Sequence, residues 1–138
     1  MGRLDLNSSG LLLLTDSGEL ANRLMHPRYD LEREYAARIR GELRPGEKKQ
    51  LLEGVPFDGG PPGRFESITA DRQGEGSNRW YRVVLKEGRN REVRRLFEAL
   101  GHPVSRLVRL RYGPIELPRD LAPGSWRELH NPVILQKL

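Results

Sequence analysis

The 138-residue chain contains no cysteine. Disulfide staples and thiolate metal sites are therefore closed to it, and a reducing cytoplasm is the expected setting. Histidine is scarce: His26, His102 and His130 are the only three, far apart and without the spacing of a ligand set. A zinc centre is not expected. The longest apolar run, Leu11 to Leu14, is much too short for a membrane span or for the core of a signal peptide. Internal repeats, linkers and low-complexity tracts are missing as well, so the whole of 1–138 reads as one domain.

What is present is an ordinary globular composition, 31% charged and 36% hydrophobic, in a chain long enough to bury a core. Its charge is unevenly spread. Between Lys86 and Arg111 eight basic residues (Lys86, Arg89, Arg91, Arg94, Arg95, Arg106, Arg109, Arg111) face three acidic ones, an excess equal to the net +5 of the chain. A basic surface confined to one stretch is the footprint of a polyanion, most often nucleic acid. A salt-bridged, solvated face is the plainer reading of the same arginines.

Local chemistry outlines the elements. Leu11 to Thr15 reads as a strand buried on both faces. Asp16-Ser17-Gly18-Glu19 has capping-box spacing and opens a helix with Leu20, Leu24 and Met25, stopped by Pro27. Glu32 to Arg40 alternates as a strand with Tyr35, Ala37 and Ile39 on one side. Pro45 starts a second helix and Gly54 ends it. Arg64 to Ala70 and Arg79 to Lys86 should pair as a hairpin. Arg91 to Leu100 is a third helix with Gly101 as its stop, and Val104 to Tyr112 a long strand. The remainder to Leu138 reads as short strand or loop, with a last helical turn. Hairpins mixed with three modest helices predict an α+β fold with a mixed, mainly antiparallel sheet flanked by helices.

Three places could carry chemistry. Asp5 sits in a turn-prone loop ahead of the apolar run; such an Asp more often makes turn hydrogen bonds than does catalysis. Tyr35 on a half-buried strand is most simply core with its hydroxyl at the rim. On the third helix, Arg91, Arg94, Arg95 and Glu98 project to one side, opposite Val93, Leu96, Phe97 and Leu100. The loop Glu87-Gly88-Arg89-Asn90 feeds the N-terminus of that helix, where free N–H groups favour an anion.

Taken together these segments resemble a known family. Gly2-Arg3-Leu4-Asp5 with Ser9-Gly10-Leu11-Leu12-Leu13-Leu14-Thr15 is similar to the signature loop of the pseudouridine synthases. Glu34-Tyr35 and the run from Glu87 to Arg95 resemble its two other active-site segments. Gly101-His102, Arg106-Leu107, Arg109 and Tyr112 to Ile115 fit the tail of the core. The likeness runs from Gly2 to about Trp126, nearest to the branch acting on single uridines of ribosomal RNA.

That resemblance implies a pseudouridine-synthase catalytic core that isomerises uridine to pseudouridine in ribosomal RNA without cofactor or metal. It implies Asp5 as the catalytic aspartate, attacking the ribose or assisting glycosidic cleavage, and Tyr35 as the ring that stacks on the target base. Arg94 would pair with the aspartate, Val93 would pack on the base, and Arg3 would help extrude the nucleotide. Arg89, Arg91, Arg95 and Arg109 would supply phosphate contacts that position RNA without reading its sequence. The physical logic is compatible. An aspartate with a free pKa of about 3.9 is ionised at neutral pH and needs no general base. Flipping a uridine out of structured RNA costs on the order of a few kcal/mol, and stacking on an aromatic ring recovers roughly 1–3 kcal/mol.

Members of this branch carry an RNA-binding module and a first catalytic strand ahead of the signature loop, and neither precedes Gly2. The expectation is thus an N-terminally truncated catalytic core, in the cytoplasm and away from membranes, with weakened or lost activity on its natural substrate. The alternative is an RNA-binding core that is inactive alone. A metal-dependent nuclease built on Asp5 gains little, because nearby carboxylates lack ligand-like spacing.

Overall fold

Nine short elements follow one another through the computed structural model, which describes residues 8–25, 31–57, 59–73, 76–89, 91–127 and 129. They are β1 (Ser9–Gly10), α1 (Gly18–Met25), β2 (Arg33–Arg40), α2 (Pro45–Glu53), β3 (Ser67–Gln73), β4 (Asn78–Leu85), α3 (Glu92–Ala99), β5 (Val104–Tyr112) and β6 (Ile115–Glu116). The strands form one six-stranded sheet in the order β1-β5-β2-β4-β3, with β6 also on β5. Only β1 runs parallel to its neighbour; every other pair is antiparallel. The expected α+β architecture with a mainly antiparallel sheet is what forms.

Each helix begins and ends for a local reason. Ser17 Oγ accepts the Leu20 N–H at 3.2 Å and caps α1, one residue later than the Asp16 start expected from sequence. Pro45 is the first residue of α2, and Glu47 Oε1 accepts the Arg44 N–H at 3.0 Å. Beyond α3, Gly101 adopts φ +85° and its N–H donates to the Glu98 carbonyl, the left-handed stop expected there.

Register divides the sheet into two faces. Ala37 pairs with Tyr81 and Leu107, Tyr35 with Val83 and Arg109, and Arg33 with Leu85 and Tyr112. On that face lies the larger apolar cluster, closed over by Leu51 of α2 and by Val93, Leu96 and Phe97 of α3. Phe65 and Phe97 meet there with ring centroids 5.3 Å apart; burying each such ring contributes ~1.5–3 kcal/mol. A smaller cluster of Leu11, Leu13, Leu20, Leu24, Tyr112 and Ile115 gathers under α1. Since Tyr112 pairs with Arg33, both clusters share one face of the sheet. On the other face Arg38, Trp80 and Arg106 form a row, each guanidinium carbon 6.0 Å from the Trp80 ring centroid.

Two expectations need correction. Leu11 to Thr15 is not a strand buried on both faces: only Ser9–Gly10 pairs with β5, and beyond it Leu11 and Leu13 are buried while Leu12 and Leu14 are exposed. The segment keeps strand-like alternation, but its outer side meets no described element. Arg94 does not project with Arg91 and Glu98 into solvent; it is buried. The expected stop at Pro27 and the last helical turn near Leu138 lie outside the described residues.

Candidate active site

The seam between the two clusters is built on one stretch of β5. Gly10 of β1 pairs with Arg109 on one side, and Tyr35 of β2 pairs with the same residue on the other. β1 lies unusually close. A Cβ on Gly10 would fall 2.3 Å from the Arg109 carbonyl oxygen, and Gly10 holds φ +109°, so no other residue fits without shifting the strand. The Leu11 N–H donates to the Arg109 carbonyl at 2.9 Å, and Arg109 Nε donates back to the Leu11 carbonyl at 2.8 Å. The chain is thereby anchored to β5 immediately after Gly10.

Arg94 closes the seam from the α3 side. Its guanidinium is buried, with Nη1 donating to the Val104 carbonyl at 3.1 Å and Nη2 reaching Ser8 Oγ at 3.4 Å. A fork of donors held at fixed geometry beside the Ser8 hydroxyl suits a carboxylate or phosphate oxygen. Tyr35 is half-buried, packed against the larger cluster directly after a register shift between Glu34 and Tyr35. Val93 is buried in that cluster. Arg94 and Ser8 therefore meet at the seam, where Gly10 and Tyr35 flank Arg109 on β5. Arg3 and Asp5 lie outside the described residues.

The arginines expected to touch phosphate separate into kinds. Arg91 is exposed and Arg95 half-buried. Arg109 is 2% exposed, between its bond to Leu11 and the Tyr112 ring 5.2 Å away; it is a strut inside the fold, which corrects its place among surface phosphate contacts. Arg89 is also engaged. Its Nη1 donates to the Pro61 carbonyl at 2.6 Å, and its guanidinium carbon lies 4.0 Å above the Phe57 ring.

Several contributors escaped sequence reasoning. Arg33 joins the clusters by donating to the Lys86 carbonyl at 2.6 Å and to the Tyr112 hydroxyl at 3.3 Å; that hydroxyl in turn donates to the Leu24 carbonyl at 3.0 Å. Glu92, the first residue of α3, is 3% exposed, and its Oε1 accepts the Arg89 N–H at 3.0 Å. Burial, reinforced by the neighbouring Glu87 carboxylate, pushes its acid up to about 8. An acidic residue opening a helix signals a favourable helix-end charge, and nothing in that signal announces burial. Among the described residues, no group of three or more His, Cys, Asp or Glu side chains could hold a metal ion.

With this geometry in view, the comparison with known proteins is decisive. The family model described as RNA pseudouridylate synthase matches residues 1–99. The chain belongs to that family. Over 129 residues, 94% of its length, this family member is 57% identical to the ribosomal large subunit pseudouridine synthase B of Yersinia pestis. It is 55% identical to the protein of that name from Escherichia coli strain K12 and 54% to the one from Pseudomonas aeruginosa. The chain spans 40%, 44% and 33% of those three relatives, less than half of each. A crystal structure of a pseudouridylate synthase superposes with a TM-score of 0.83, at 28% identity, over 99% of this chain and 58% of that one. The pseudouridine-synthase fold expected from the sequence is the fold observed.

Proposed function

We propose that this chain carries the catalytic centre of a large-subunit ribosomal RNA pseudouridine synthase, converting one uridine to pseudouridine without cofactor or metal. The observation that carries the reading is Arg94. A buried guanidinium on α3 reaches Ser8, three residues along the chain from Asp5, on the sheet face that bears Tyr35. The relatives named ribosomal large subunit pseudouridine synthase B supply the substrate class.

In this reading the Asp5 carboxylate attacks the ribose of an extruded uridine or assists cleavage of its N1–C1′ bond. The freed uracil turns, C5 bonds to C1′, and the proton lost from C5 is balanced by the one gained at N1. Arg94 holds the aspartate in its ionised form and in position while the substrate excludes water. Tyr35 stacks on the base, Val93 packs beside it and Arg3 assists extrusion. Arg91 and Arg95 meet phosphates, with Arg89 shaping the loop next to them. A cytoplasmic setting suits such an enzyme, and no helix among the described residues is long and apolar enough to cross a membrane.

The test is base-resolved mapping of pseudouridine in ribosomal RNA incubated with the protein, with Asp5→Ala as control. New pseudouridine at one site, abolished by the substitution while RNA binding persists, is expected. RNA binding with no pseudouridine formed favours a second reading, an RNA-binding core inactive alone, which the partial coverage of its relatives supports.

A further inference from the structure

Glu92 has more contacts than a helix-opening acid needs, and all of them face the turn that leads into α3. Its Oε1 accepts the Arg89 N–H at 3.0 Å, while Oε2 is buried with no hydrogen-bond partner among the described residues. A Cβ on Gly63 would lie 2.9 Å from that Oε2, 2.6 Å from Phe57 and 3.3 Å from Leu96, so the carboxyl is wedged beneath the loop of residues 55–63. The base of that loop is closed by paired backbone bonds between Val55 and Gly63, at 2.8 and 3.0 Å. Its tip is held by Arg89 through Pro61 and Phe57. Between Arg89 and Glu92, Arg91 holds φ 56°, ψ 29°, a left-handed conformation that costs a non-glycine residue and persists only where its surroundings impose it.

We propose that Glu92 is a positioning residue of the isomerisation argued above: it pins the Arg89–Arg91 turn to the 55–63 loop and so fixes the start of α3 and the aim of Arg94, two residues further on. The proposal rests on that functional reading. It also assigns a charge state. Among the described residues, the charged groups acting on Glu92 are Glu87 and Arg89, and Gly63, itself packed against Phe57 and Leu96, lies over its Oε2. An ionised carboxylate there would face the Glu87 carboxylate with one oxygen lacking a donor, whereas the neutral acid can share its proton with Glu87. The Glu92 pKa, raised to about 8, agrees. Above that pH the ionised side chain is driven toward water and the turn is released.

The experiment compares wild type, Glu92→Gln and Glu92→Ala between pH 6 and 9. It measures kcat and KM for pseudouridine formation in ribosomal RNA, together with hydrogen exchange at the Arg89 amide. Glutamine preserves shape and stays neutral, so it should keep kcat within roughly threefold at pH 7 and lose the decline that wild type shows above about pH 8. Alanine should lower kcat on the order of 10- to 100-fold with KM nearly unchanged, as expected for misplacement of a catalytic group. Arg89 amide protection should fall with pH in wild type, stay constant in Glu92→Gln and be low throughout in Glu92→Ala. The same high-pH limb in wild type and Glu92→Gln, or full kcat in Glu92→Ala, overturns the proposal. Wild-type protein that binds RNA but forms no pseudouridine overturns the functional reading instead. Amide protection, which needs no turnover, then decides whether Glu92 pins the turn: protection in Glu92→Ala equal to wild type overturns the pin as well.

Discussion

Arg94 Nη2 lies 3.4 Å from Ser8 Oγ, a contact between residues 86 positions apart that ties α3 to the entry of β1. With Nη1 on the Val104 carbonyl at 3.1 Å, the guanidinium has one hand on the sheet and the other on Ser8, three positions after Asp5 in sequence. A buried cation held in this way is already oriented before substrate arrives.

Arg94→Ala should therefore damage activity more than fold. A kcat loss on the order of 10²–10³-fold is expected for removal of a preorganised charged donor. The lost bond to Val104 should cost about 1.5–3 kcal/mol of stability. Arg94→Lys keeps the charge but not the two-pronged geometry, so it should remain folded and still turn over slowly. Single-turnover kinetics with urea unfolding on the same preparations check both. Wild-type rates in Arg94→Lys would show that geometry is not what Arg94 provides.

Gly10 and Gly46 give opposite expectations for the same substitution. At Gly10 the new methyl would meet Arg109 backbone atoms at 2.3 and 2.5 Å, and the φ of +109° disfavours any side chain. Gly10→Ala should part β1 from β5 at a cost of at least ~2 kcal/mol, and should lower kcat because Ser8 moves with the strand. At Gly46, in the first turn of α2, nothing lies within 4 Å. Gly46→Ala should be neutral or stabilise by ~0.4–1 kcal/mol. Thermal melts of the two variants decide it.

What the sequence disclosed was local chemistry. Pro45, Gly54 and Gly101 mark helix ends because each acts on its own backbone, and the alternation of Tyr35, Ala37 and Ile39 tells a strand from a helix without reference to its neighbours. Arg94 could be chosen by resemblance, but its burial could not be read. A helical wheel puts it beside Arg91 and Arg95, and only the arrival of Ser8 and Val104 from distant segments draws it inward. Arg109 misled for the same reason. Its place in a basic run suggested a surface, whereas the partner that buries it, Leu11, is 98 residues away. Glu92 is the extreme case, since its environment depends on how residues 55–63 fold across it.

His102 and Glu47 form a latch between the turn after α3 and the start of α2. His102 Nε2 lies 3.0 and 3.1 Å from the two Glu47 oxygens, and Nδ1 lies 2.7 Å from the Arg40 carbonyl. The Arg44 N–H, followed by the His102 ring, holds the Glu47 carboxyl below its ordinary value of 4.5. A depressed acid contributes stability above the unfolded value and loses it as pH falls through the folded one. Glu47→Gln should thus lower stability near pH 7 by roughly 1 kcal/mol, as for a lost capping interaction, with the gap to wild type closing below pH 4.5. Melts from pH 3 to 7 measure it, and a gap independent of pH would contradict the linkage.

Glu92 runs the other way. Its folded value, about 8, lies above the ordinary 4.5, so between those two pH values the folded protein keeps a proton that the unfolded chain has released. Stability contributed by this group is complete below 4.5 and declines as pH rises, with a limiting slope of ~1.4 kcal/mol per pH unit. Glu92→Gln cannot ionise and removes that slope. Relative to pH 5, the variant should gain roughly 3 kcal/mol of stability over wild type by pH 8, the slope acting across most of that interval. Isothermal urea unfolding at pH 5, 6.5 and 8 measures it, with Glu92→Gln as the reference that carries every other titrating group unchanged. A Glu92→Gln protein that loses stability with rising pH as steeply as wild type would mean that Glu92 is ionised in the native state, stabilised there by a donor outside the described residues.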